Sequence, residues 1–407
     1  MPAEPLHRRR VAIILSHPTQ YYSPWFRWLR SHTDLVFRVF YLWDFGITAR
    51  HDPQFQKAFA WDVDLVSGYD WEMVGNSARD PGTHHFWGLR NPGLLTRLAA
   101  WKPDAVLFFG YNWASHLRAA LWARRQGLPM IFRGDSHLLG RKRLPWLRAQ
   151  LLRGFFRQFA AVTYVGAANR AYFLSLGVPE SRLFFAPHSV NAAFFDPNQA
   201  GRREAAAARR LRLGVTPEAQ IVLFAGKMVA AKGPKELLAA FAALDSPNAV
   251  LVFVGDGPEK AALQAAAAAS PRPGAVHFLP FANQSEMPAL YLAADLFVLP
   301  SIGFYETWGL AVNEAMHMGT PCLVSDRVGS QQDLVIAGQT GWVFRAGDTR
   351  DLQDQLGLAL TALRDPGRRA QIRQTIAAKM ADYTYAATTQ GFLRALDRLP
   401  REAGSPG

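Results

Sequence analysis

An α/β architecture of two domains, each on a largely parallel sheet, is what this sequence predicts, on three observations. The chain has 407 residues, too many for one ordinary domain and suited to two of about 150–200 residues each. Short apolar runs recur along it, each ending in a polar or glycine-containing loop and then in helix-like periodicity, the pattern of strands covered on both faces. The segment 297–325 shows the unit most clearly. Phe297, Val298 and Leu299 run into Pro300-Ser301, a loop carries Gly303 and Glu306, and a helix starts near Trp308-Gly309 and ends at Gly319. Thr320-Pro321 then breaks the chain before a strand at 322–325. Such a loop lies at the carboxyl end of a strand, where open α/β sheets bind ligands.

Composition narrows the function classes. A hydrophobic fraction of 49% supports globular cores, and no apolar run approaches the length of a membrane span. The basic N-terminus leads only into a short strand at 11–15, so no signal peptide is expected. A single cysteine, Cys322, excludes an intrachain disulfide or a thiolate metal cluster, and a cytoplasmic location is the expectation. The net charge of +13 suits a polyanionic partner: nucleic acid, a phosphorylated ligand or an anionic membrane surface. The basic residues are dispersed and follow no nucleic-acid motif, which favours phosphate or membrane over nucleic acid.

The loop before the helix at 310 has a readable chemistry. Backbone N–H groups around Thr307, Gly309 and Leu310 stand at a helix N-terminus and suit an anion, and Gly309 lets a phosphate approach the backbone. Glu306 and Glu314 would repel that phosphate and suit the hydroxyls of a ribose and a sugar; the plainer alternative is one glutamate serving the helix dipole and another on a solvated face. Upstream, the strand 221–225 leads to Gly226 and Lys227, with Lys232 before a helix at 235–243. Two lysines at a helix start run against the dipole but suit a diphosphate. A further strand, 250–254, ends in Gly255-Asp256-Gly257. The Ala/Arg-rich helix 202–213, bracketed by Pro197 and Pro217, reads as a linker.

In the first half, the strand 11–15 is followed by His17, Thr19 and Gln20, expected to face the cleft, with Ser23-Pro24 as N-cap and first helical residue. His17 could equally cap its loop. The absence of Gly-x-Gly-x-x-Gly argues against NAD. Residues 43–91 lack periodicity and read as functional loops and short helices. Arg133, Asp135 and His137 gather after another strand, although Asp135 and His137 equally suit an N-cap. In 141–159, Leu144, Leu147, Leu151, Phe155 and Phe159 recur at helical spacing with Arg153 and Arg157 opposite. This is either a helix lying on an anionic membrane or an ordinary helix packed on its sheet.

Glu306, Gly309-Leu310, Glu314-Ala315-Met316 and Gly319-Thr320-Pro321 together resemble the glycosyltransferase family 4 signature, two glutamates separated by seven residues with Gly-Leu between. Pro187, His188, Ser189, Val190 and Asn191, with Phe194-Phe195, resemble the segment that closes the first domain in that family. The resemblance implies the GT-B fold: two Rossmann-like domains facing across a cleft, with a C-terminal helix crossing back to the N-domain. The implied division is 1–197 for the acceptor domain, 198–385 for the nucleotide-sugar domain, 386–400 for the returning helix and 401–407 for a tail. It implies a retaining, metal-independent hexosyltransferase that uses a nucleotide-sugar as co-substrate, with no further cofactor, and a glycan or lipid-linked acceptor, in cell-surface polysaccharide or glycolipid synthesis. The implied donor contacts are Gly226, Lys227, Lys232, Gly255, Gly257, Thr307, Gly309, Leu310, Glu306 (sugar) and Glu314 (ribose). The loop with Asp135 and His137 resembles the place where an N-domain residue touches the donor sugar or acceptor, so these two join Glu306 as catalytic candidates. Thr19, Gln20, His17 and Arg133 fall on the acceptor side. Two departures stand out: Lys227 replaces the usual arginine and loses its bidentate fork, and His17-Pro18 replaces the usual Gly-Gly. A nucleotide-sugar epimerase on the same fold remains an alternative, as does a non-enzymatic nucleic-acid- or sugar-binding protein. An acceptor at the cytosolic membrane face, with peripheral attachment through 141–159, is the working expectation.

Overall fold

The structure, a computed structural model, describes residues 9–52, 57–141 and 143–399; the expected N- and C-terminal tails lie outside the described residues. Among the described residues, nine strands fall in the first half: β1 (Arg10–Leu15), β2 (Val36–Tyr41), β3 (Arg50–Asp52), β4 (Lys57–Phe59), β5 (Trp71–Met73), β6 (Ala105–Phe109), β7 (Met130–Arg133), β8 (Ala161–Tyr164) and β9 (Leu183–Phe185). Six follow: β10 (Gln220–Ala225), β11 (Ala249–Val254), β12 (Val276–Leu279), β13 (Leu296–Leu299), β14 (Cys322–Ser325) and β15 (Gly341–Phe344). Seven strands form one sheet in the order β5-β2-β1-β6-β7-β8-β9, and six form another in the order β12-β11-β10-β13-β14-β15. Every strand pair within these two sheets is parallel. In the second sheet the order reverses between β10 and β13, which opens a crevice at their carboxyl ends.

Helices cover both faces of each sheet, so the strands are apolar on both sides. Along β1 the alternation is visible: Val11, Ile13 and Leu15 enter one core, while Ala12 and Ile14 enter the opposite one. The first of these cores is completed from the far end of the chain. The helix Tyr385–Asp397 places Phe392, Ala395 and Leu396 beside Trp25, Phe26 and Leu29, and Trp25 Nε1 donates to Thr389 Oγ1 at 2.9 Å. Gly391 permits this approach, because a Cβ there would stand 1.9 Å from the Phe185 carbonyl oxygen.

Several local expectations change. The first helix runs Tyr22–His32 with no side-chain cap at Tyr21, so Ser23 and Pro24 sit inside its first turn; the Thr19 hydroxyl accepts from the Tyr22 amide at 3.2 Å instead. The helix Arg202–Arg212 is not a linker but packs on Met287–Ala293, fixed by Arg209 to Glu286 at 2.7 Å and Arg210 to Asp295 at 3.1 Å. The segment expected to close the first domain sends Val190 and Phe195 into the second core. In the helix Trp146–Phe156 the buried face is Leu152 and Phe156, continued by Phe159, whereas Trp146, Leu147 and Leu151 are exposed at 74%, 64% and 67%. Asp135 and His137 do not cap this helix, which starts after Pro145. Residues 43–91 contain an antiparallel pair, β3 with β4, which joins neither large sheet.

Candidate active site

The cleft is built from strand ends. Gly226 and Lys227 follow β10, Gly255 and Gly257 follow β11, and Ser301 and Glu306 follow β13. The helix Leu310–His317 begins at Gly309, whose φ of 86° is a left-handed conformation that glycine tolerates. Lys232 ends a short 3₁₀ turn, Ala230–Lys232, which sets its ammonium against the Glu306 carboxylate. Glu306 Oε2 also accepts from Ser301 Oγ at 2.7 Å. Lys227 Nζ donates to Asp52 Oδ2 of β3 at 2.9 Å. Each of the two lysines is therefore matched by a carboxylate.

Glu314 lies deeper. It is 3% exposed, yet Gln284 Nε2 and the Tyr291 hydroxyl donate to its carboxylate at 2.9 and 2.8 Å. Burial raises its pKa to about 7, against the opposing hydrogen bonds from Gln284, Tyr291 and Tyr21. It forms part of the wall of a pocket between the two halves of the chain. Gly226, Val254 and Gly255 contribute from the second sheet, Gln20 and Tyr21 from the loop after β1, and Trp61 and Phe281 also line it. Its lining, with four aromatic side chains and a few placed polar groups, has the chemistry that suits a base and a ribose.

The first-half residues make fixed interdomain contacts. Thr307 Oγ1 donates to Asp135 Oδ2 at 2.8 Å. His137 Nδ1 accepts from the Leu139 amide at 3.1 Å, which leaves Nε2 protonated to donate to the Glu306 carbonyl, also at 3.1 Å. Burial lowers the pKa of His137, consistent with this neutral tautomer. Although burial would raise Asp135, the His188 ring and the Thr307 hydroxyl outweigh it and hold the carboxyl below its usual range. Arg133 is a correction: it is 2% exposed, and its guanidinium donates to the Ala186 and Pro187 carbonyls at 2.9 and 3.2 Å. It holds the strand-end loops together from inside and does not present its charge to an acceptor. His17 packs edge-on against Trp43 and Phe45, and burial lowers its pKa to about 4. Thr19 serves the first helix, while Gln20 reaches the pocket.

Sequence reading missed Asp52, Trp61, Tyr21, Gln284, Tyr291 and Phe281. Tyr21 adjoined a flagged loop; the others carry no local signal, since their roles arise from long-range contacts. Outside this site, Asp80, His84 and His85 bring possible metal-ligating atoms within 4.8 Å of one another, but His84 and His85 instead hydrogen bond to the Asp80 carboxylate and carbonyl.

Two doubly wound parallel sheets that face across a ligand cleft, with a last helix returning to the first, define a GT-B protein. Residues 209–378 match the family model for glycosyl transferases group 1, and 47–188 match that for a glycosyl transferase 4-like domain. The chain belongs to the GT4-type glycosyltransferase family. It is similar to a D-inositol 3-phosphate glycosyltransferase of Nocardia farcinica, 36% identical over 46% of this chain and 42% of that protein. It is also similar to the sulfoquinovosyl transferase SQD2 of Arabidopsis thaliana, 27% identical over 74% of this chain and 57% of that protein. The chain thus spans about half the length of these curated relatives. The crystal structure of Anabaena HepE in complex with UDP and glucose superposes with a TM-score of 0.71 at 16% identity, covering 96% of this chain and 100% of that one. Among the described residues, no helix is long and apolar enough to cross a membrane.

Proposed function

We propose that the protein transfers a sugar from a nucleoside-diphosphate sugar to a hydroxyl acceptor, with retention of configuration. The observation that carries the reading is the convergence, around one crevice, of two lysines, a helix N-terminus, and a buried glutamate in the wall of an aromatic-lined pocket. Lys227 and Lys232 hold the diphosphate, joined by the amides at Gly309 and Leu310, and this set of positive ends does the work of a divalent metal. Glu314 accepts from the ribose hydroxyls and Glu306 from the sugar. As the bond from the anomeric carbon to the leaving phosphate breaks, the acceptor oxygen bonds to that carbon on the same face, and its proton passes to the leaving phosphate. His137 and Asp135 act by fixing the loop that carries Glu306 and Thr307. The donor nucleotide to test first is UDP, which HepE holds in its crystal structure.

The acceptor is a lipid-linked glycan at the cytosolic face of an anionic membrane. Support comes from the helix Trp146–Phe156, whose exposed Trp146, Leu147 and Leu151 lie on a surface with no acidic residue between Asp135 and Glu180 but seven basic ones. Apolar side chains flanked by arginine suit an anionic bilayer surface.

Thermal unfolding with UDP, GDP, ADP and dTDP, with and without EDTA, tests the donor site in wild type and Glu314→Ala. One diphosphate stabilises the wild type regardless of EDTA and loses its effect in the variant. A shift abolished by EDTA would sink the metal-free reading, and no shift at all would sink the donor site.

A further inference from the structure

We propose that the Asp52 carboxylate is an internal counter-anion that holds the diphosphate's place on Lys227 and must release that lysine when a donor binds. The inference rests on the donor-site reading above. Asp52 ends β3 and is 8% exposed. A carboxylate removed from water in this way requires a compensating cation, and the Lys227 ammonium of the other half supplies one at 2.9 Å. The strand pair that carries it leans across the cleft. The Phe59 ring lies 4.9 Å from that of Phe281, Lys57 Nζ sits 5.5 Å from the same ring, and Asn283 Nδ2 donates to the Ala60 carbonyl at 2.9 Å. Asp62 accepts from the Ser285 amide at 3.1 Å. Trp61, next along, lines the pocket together with Phe281. The first half of the chain therefore supplies both a wall of the nucleotide pocket and an anion at its phosphate end.

Charge decides which carboxylate yields. Glu306 and Asp52 each neutralise one lysine, so an arriving diphosphate meets a site whose cations are already paired. Glu306 is the carboxylate with a place among the sugar hydroxyls. Asp52 has no such role, and a carboxylate and a phosphate oxygen cannot share one ammonium without mutual repulsion.

Calorimetric titration of the full chain with UDP and, separately, with uridine tests this on wild type, Asp52→Asn, Lys227→Met and the double variant. Removing the competing charge tightens UDP binding by about fivefold, the scale of a partly exposed ion pair. Uridine, which lacks the phosphates, binds Asp52→Asn and wild type alike, and the gain disappears in the Lys227→Met background. UDP binding that Asp52→Asn leaves unchanged or weakens overturns the inference, as does an equal gain for uridine. Wild type that binds none of the four diphosphates would remove the donor site itself, a failure distinct from either of these.

Discussion

The two halves of the cleft treat their charged side chains in opposite ways. On the second-sheet side, Lys227 and Lys232 keep roughly a quarter to a third of their side chains exposed and pair with the carboxylates of Asp52 and Glu306. On the first-sheet side, Arg133 and His188 are almost completely buried, and the arginine is spent on backbone carbonyls and on the Trp25 ring, 5.6 Å away. A partly wet ion pair contributes little to stability and exchanges partners readily. A buried cation with fitted acceptors is costly to disturb. One wall thus carries partly exposed ion pairs and the other a buried frame.

The sharpest way to break the comparison is Lys232→Met. Loss of one preorganised charge at the leaving group lowers the transfer rate by about 10²–10³-fold, while the unfolding midpoint stays near that of the wild type. Transfer within tenfold of wild type would show that the site does not work through this lysine. Arg133→Met tests the frame. Stripped of their donor, the Ala186 and Pro187 carbonyls stay buried, and stability falls by about 2–3 kcal/mol, read as a lower denaturation midpoint; a stable Arg133→Met protein would erase the contrast. The smallest effect belongs to the basic helix. Leu151→Ser weakens binding to vesicles rich in phosphatidylglycerol by about fivefold without moving the midpoint, whereas Leu152→Ser lowers the midpoint. Equal binding of Leu151→Ser and wild type would remove the helix from the membrane.

The same contrast explains what could be read in advance. Glu306, Gly309, Glu314 and the two lysines belong to strand–loop–helix units whose chemistry is local, so spacing and residue type expose them. Arg133 ends a strand as Lys227 follows one, and nothing nearby in the chain says that one side chain turns inward. Asp52 and Trp61 were invisible for another reason: Asp52 meets its lysine across 175 residues, and the short strands around it lack the length for a periodic signal. In the helix Trp146–Phe156 apolar residues occupy nearly every side, so a stripe through Leu147 and Leu151 was as readable as the buried one through Leu152 and Phe156.

The returning helix Tyr385–Asp397 has a topological consequence. Because β1 and this helix both belong to the first-sheet half, the half that carries the second sheet is joined to it by two crossings of the chain. Thr388 Oγ1, bonded to Ser189 Oγ at 2.8 Å and to the Pro187 carbonyl at 2.7 Å, clasps the outgoing and incoming crossings side by side. Two crossings held side by side favour rotation of one half about them and resist twist or sliding of the lysines past the facing wall.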